Sequence, residues 1–191
     1  MSATREAFTC VPHGGPGLVA RLSGDVFVLV GGDAAAQERL LQVCWAVATN
    51  GGDGRALVRA LAGEATATWD EMPPCVALAP AGDRMVVFVH GDADVMAGEL
   101  GTLSGRDSVG WVDRIIPWPA SGLSATLPGA EQAKPGAYDL RDGAVPGAGF
   151  TLSVQRSPAT DAVDAAVAAG QVVAETPSPE RAQVGSKSAW S

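Results

Sequence analysis

A chain of 191 residues, 47% hydrophobic and 18% charged, can build an apolar core but is too short for more than one compact domain with a tail or two very small domains. Thirteen Lys and Arg against 21 Asp and Glu leave a net charge of -8. That balance repels phosphate backbones and anionic lipid, so the expectation is no nucleic acid and no membrane surface as partner.

The first readable element is a pair of strands. Gly17–Leu22 and Asp25–Val30 flank Ser23-Gly24, a turn dipeptide, which predicts a β-hairpin. Its second strand is a continuous apolar run, as a strand covered on both faces requires, and Gly31-Gly32 ends it. Asp33 is placed to cap a helix, because its carboxylate can accept from the free amides of the first turn. Leu40, Leu41, Cys44, Val47 and Ala48 then share one helical face, and Asn50-Gly51-Gly52 stops it. Asp53 caps a second helix carrying Leu57, Leu61 and Ala65, with Trp69 and Met72 closing its end before Pro73-Pro74.

Cys75–Ala79 and Met85–His90 read as strands around the turn Pro80-Ala81-Gly82-Asp83, and Asp94–Ala97 as a third, giving an antiparallel meander from Cys75 to Leu103. Trp111, Ile115, Ile116 and Trp118 crowd the next stretch, where a short helical turn is expected from Ser108 to just before Pro117. Leu123, Ala125 and Leu127 alternate as in one more strand. The fold class is therefore α+β, an antiparallel sheet with two helices packed on one face, over residues 14–128. A Pro/Gly-rich docked segment, 129–156, follows. From Ser157 to Ser191 there is no Leu, Ile, Phe or Met. So little apolar surface cannot offset an ordering cost of ~1–2 kcal/mol per residue, and a disordered tail or linker is expected there.

No run of residues has the length and apolarity of a bilayer span, and no apolar run behind a basic segment opens the chain. The three cysteines, Cys10, Cys44 and Cys75, are an odd and widely spaced set, unlike a disulfide framework. A cytoplasmic protein without membrane insertion is expected. Cys10-x-x-His13 has a metal-ligand look but supplies only part of a structural zinc set. Gly14-Gly15-Pro16-Gly17 lacks the Lys-Ser/Thr of a phosphate loop, and no Gly-x-Ser-x-Gly marks a hydrolase nucleophile.

The carboxylates Asp25, Asp33, Asp92 and Asp94 fall at or just past strand ends, and hard divalent cations take oxygen ligands of this kind. Strand, Gly-Gly-acid, two helices, then paired strands ending in Gly91-Asp92 is an order similar to the first half of the metal-dependent PP2C-type phosphatases. The resemblance implies Mn²⁺ or Mg²⁺ held by Asp25, Asp33 and Asp92. Where that family has Asp-Gly-x-Gly-Gly this chain has Val30-Gly31-Gly32-Asp33, and where it has Gly-Asp-Ser-Arg this chain has Gly91-Asp92-Ala93-Asp94, which implies a depleted metal site.

A second resemblance covers roughly Gly14 to Leu152. Ser104-Gly105-Arg106-Asp107-Ser108-Val109-Gly110-Trp111-Val112-Asp113-Arg114-Ile115-Ile116-Pro117-Trp118-Pro119 and Asp139-Leu140-Arg141-Asp142-Gly143-Ala144-Val145-Pro146-Gly147-Ala148-Gly149-Phe150-Thr151-Leu152 resemble the N-terminal module of certain actinobacterial proteins that carry a forkhead-associated (FHA) domain farther along. Eleven Arg against two Lys agree with a high-GC source. The FHA domain and its Ser-x-x-His are absent here, so no phosphopeptide-binding residue carries over. The resemblance implies an accessory module of Ser/Thr-kinase-linked signalling. Tryptophan is enriched at interaction hot spots, which makes Trp111, Ile115 and Trp118 the candidate interface. The favoured function is a non-enzymatic, regulatory protein-interaction module with a protein partner and no cofactor. The alternative is a divergent metal-dependent phosphatase using Mn²⁺ or Mg²⁺.

Overall fold

The computed structural model describes residues 7–68, 71–118, 122–131 and 138–155. Trp69, expected to close the second helix, and the tail 157–191, expected to be disordered, lie outside them. Strands β1 (Ala7–His13), β2 (Leu18–Leu22) and β3 (Val26–Val30) come first, followed by helices α1 (Ala34–Thr49) and α2 (Gly54–Ala67) and the pair β4 (Cys75–Ala81) and β5 (Arg84–His90). The short strands β6 (Asp94–Met96) and β7 (Thr102–Ser104) follow, then β8 (Trp111–Pro117), β9 (Leu123–Thr126), β10 (Gly143–Pro146) and β11 (Gly149–Gln155).

The helices begin and end where local chemistry dictates. Asp33 accepts from the Ala36 amide at 2.8 Å and Asp53 from the Ala56 amide at 2.9 Å, each satisfying a first-turn donor that has no partner within its helix. At the end of α1, Asn50 takes the cap and Gly51 turns left-handed at φ +69°, where a Cβ would be strained. Leu40 and Cys44 of α1 and Leu57, Leu61 and Ala65 of α2 are buried against the sheet.

Among the described residues the strands form two antiparallel sheets, of order β10-β2-β3-β4-β5-β8 and β1-β11-β9-β6-β7. The alternation of strand side chains explains how one sheet serves two cores. In β3 every residue is buried. Val28 and Val30 point to the helices with Cys75, Ala77 and Phe88, while Phe27 and Leu29 point to the second sheet with Leu78 and Val87. The second sheet answers with Cys10, Val95, Ala125, Phe150 and Leu152. Its outward positions include Thr9, His13, Ser124, Thr126, Thr151 and Ser153, the polar half of an antiparallel sheet with one wet face. The molecule is thus α+β, and the expected antiparallel sheet with two helices on one face is present. Its opposite face carries a second sheet.

Three local expectations need correction. The stretch from Ser108 to Pro117 is not a helical turn: Trp111–Pro117 is a strand pairing with β5 along its whole length, from His90↔Trp111 to Arg84↔Pro117. Val112, Ile115 and Ile116 are β-branched and prefer this pleated surface. The meander does not continue from Cys75 to Leu103 in one sheet. The chain turns at Gly91 (φ +65°) and delivers β6 to the other sheet, between β7 and β9. Nor does the structured part run from 14 to 128 with 129–156 loosely docked. β1 lies ahead of residue 14, and β11 runs between β1 and β9 with Phe150 and Leu152 fully buried.

Candidate functional site

The acidic residues do not converge as a three-carboxylate site. Asp25 precedes β3 and Asp33 follows it, so the length of a five-residue strand, roughly 17 Å, lies between them. Asp25 sits in the β2–β3 turn at φ +59° and holds Arg21 at 3.2 Å. Arg21 in turn donates to the Phe8 carbonyl at 3.0 Å and the Leu140 carbonyl at 3.3 Å, and lies 5.2 Å over the Phe27 ring. Asp25 therefore belongs to a clamp joining the two sheets.

Asp33 and Asp92 do share an end of the larger sheet, because Val30 pairs Cys75 and Cys75 pairs His90. Two strand spacings, about 10 Å, separate those positions. Asp33 caps α1, and Asp92 is ion-paired with Arg106, which also reaches Asp94 at 3.7 Å. Around them the Gly31 amide donates to the Pro74 carbonyl at 2.8 Å, and His90 Nδ1 lies 3.3 Å from the Pro73 carbonyl. The set Asp25, Asp33 and Asp92 does not fit a shared Mn²⁺ or Mg²⁺ centre. What persists of that arrangement is the pair Asp33 and Asp92.

Cys10 and His13 are also divided. Three residues apart on β1, they face opposite sides. Cys10 is buried between the sheets, and desolvation pushes its thiol up to about 12 despite the nearby Arg21. His13 faces outward, with Nε2 2.8 Å from the Thr151 hydroxyl, and partial burial lowers its pKa. Cys44 and Cys75 lie in the helix-side core, where burial raises both thiols.

The predicted interface residues separate into two groups. Trp118 stacks on Phe8 at 4.8 Å and packs against the core between the sheets. Trp111 and Ile115, four residues apart on β8, share the helix side of the larger sheet. Trp111 stacks on Phe88 with centroids 6.1 Å apart and donates from Nε1 to Asp113 at 3.2 Å, while Ile115 is 39% exposed. Among the described residues β8 is an edge strand of its sheet, with β5 on one side.

Between β8 and α2 lies a cleft of about 240 Å³ lined by Arg55, Val58, Arg59, Val86, Asp113, Arg114 and Ile115. Gly54 is part of the reason the helix sits so close, since a Cβ there would meet the Pro80 carbonyl at 2.9 Å and the Val86 Cβ at 3.0 Å. The three arginines are exposed, and among the described residues none has a carboxylate partner. The other described arginines are all engaged: Arg21, Arg39, Arg106 and Arg141 with carboxylates, and Arg84 with the Ile115 carbonyl at 3.3 Å. Stability does not explain the unpaired set. Arg55 stands in the first turn of α2, where the helix dipole disfavours a cation by ~0.3–1 kcal/mol, and Arg59 repels it from one turn on by ~0.2–0.5 kcal/mol. An Arg-x-x-x-Arg spacing on a predicted helix is visible in the sequence, but the arrival of Arg114 beside it depends on the β5–β8 pairing.

No family model, no curated protein and no solved structure matches the chain.

Proposed function

We propose that this protein is a non-enzymatic, regulatory interaction module that receives a protein partner along β8 and the flank of α2. The observation that carries the reading is the outer strand of the six-stranded sheet of the described residues, β8, where half-buried Trp111 and the exposed Ile115 share one face and Ile115 lines the cleft. An edge strand next to a helix is a common seat for partner segments, and aromatic anchors concentrate binding energy. The likeness of Ser104–Pro119 to the N-terminal module of FHA-containing actinobacterial proteins supports a place in Ser/Thr-kinase-linked signalling in the cytoplasm.

A photo-crosslinking side chain at position 115 tests this in cells of the source organism. A discrete adduct at 115 and none from the same group at 151, on the outward face of the other sheet, is the expected result. Equal labelling from both positions would overturn it. The alternative, a divergent PP2C-like phosphatase, would have to work from Asp33 and Asp92. Phosphoester hydrolysis that requires Mn²⁺ and disappears in Asp92→Ala would establish that alternative and displace the interaction reading.

A further inference from the structure

Resting on the interaction reading, we propose that the cleft between α2 and β8 binds a short extended segment of a partner protein that is rich in Asp and Glu. Charge complementarity is the first argument. In a chain of net charge -8, Arg55 and Arg59 stand side by side on this cleft and, among the described residues, neither has a carboxylate partner; Arg114 also lines it, from the β8 position that alternates to the other face. Guanidinium stays charged at every physiological pH, and its planar fork matches a carboxylate. The one acid in the lining, Asp113, is engaged by the Trp111 indole.

Shape and backbone chemistry point to an extended peptide. Val58, Val86 and Ile115 give the cleft an apolar floor for aliphatic side chains. Among the described residues no strand pairs β8 on the side away from β5, which leaves an edge of a seven-residue strand that an added strand can pair. Side chains of such a strand alternate, so those on the helix side fall toward Arg55, Arg59 and the apolar floor. A second copy of this chain is a poor occupant, since edge-to-edge pairing would set arginine against arginine. A long polyanion would meet the repulsion of the whole molecule.

The test is fluorescence anisotropy of the full chain with a labelled short peptide alternating Val and Glu, and with its Val–Lys counterpart. Saturable binding of the Glu peptide, weakening with salt and absent for the Lys peptide, is expected. Arg55→Gln/Arg59→Gln should weaken it about tenfold, while circular dichroism stays unchanged because both side chains are exposed. Hydrogen exchange should show alternate amides of β8 gaining protection. Equal binding of both peptides, indifference to the double substitution, or binding without protection of β8 would each overturn the proposal. If the crosslinker at 115 captures a partner while the Glu peptide fails to bind, the acidic chemistry is wrong and the interaction reading stands. If both fail, both fall.

Discussion

Replacing Phe150 by Ala tests whether β11 is an interior strand. Phe150 is fully buried between the sheets, its ring 6.3 Å from Phe27, which meets Phe8 at 6.5 Å. Removing the ring empties one end of that row, and buried Phe→Ala substitutions cost about 3–5 kcal/mol. For a domain of this size each kcal/mol shifts Tm by about 2–4 °C, so a fall of roughly 6–20 °C follows. Thr151 supplies the internal control. It is the next residue along the strand but faces outward, and Thr151→Ala deletes one partly exposed contact to His13 worth about 0.5–1.5 kcal/mol. Urea unfolding followed by tryptophan fluorescence reads both, with m unchanged if the denatured state is unaffected. A Phe150→Ala loss no larger than that of Thr151→Ala would place residues 149–155 on the surface and refute the sheet order.

Asp53→Ala should cost about 1 kcal/mol by removing the 2.9 Å cap to the Ala56 amide, and Asp53→Asn should restore most of it; equal stability of all three proteins would exclude the cap. Cys10 and Cys44, with thiols pushed up to about 12, and buried Cys75 should resist a thiol reagent at pH 8 and react together only on unfolding. Fast labelling of any one in the native protein would contradict the closed cores. Burial disfavours the His13 imidazolium, so its proton NMR titration should centre below 6.5. The unfolded chain then takes up that proton first. The contribution of His13 to stability is full above pH 6.5 and is lost as pH falls through the folded pKa. A midpoint at or above 6.5 would refute it.

The parts of this fold legible in the sequence are those set by neighbours along the chain. Asp33, Asp53 and Asn50-Gly51 mark the helices by hydrogen bonds spanning a few residues, and Ser23-Gly24 marks the β2–β3 turn. β1 and β11 carry no such mark. Their pairing joins residues as distant as Ala7 and Gln155, 148 positions apart, and neither strand has a tight turn to announce it. β8 misleads because Ser108 ahead of it and the dense Trp111–Trp118 stretch mimic a capped turn, while its true partner, β5, lies across two intervening strands. The separation of Asp25 from Asp33 was readable in principle, since one precedes a strand and the other follows it. The arginine cleft was readable only by half, from Arg55 and Arg59.

The pairing of Ala7–His13 with Gly149–Gln155 has a consequence during synthesis. β1 leaves the ribosome before the other described strands, yet its hydrogen-bonding partner in the sheet is the last of them to appear. At elongation rates of ~5–20 residues per second that is a delay on the order of ten seconds. Through that interval Phe8 and Cys10 stand without the strand that will cover them. The nascent chain therefore presents an unpaired apolar strand, the kind of segment that holding chaperones bind, and folding closes by stitching the newest strand against the oldest.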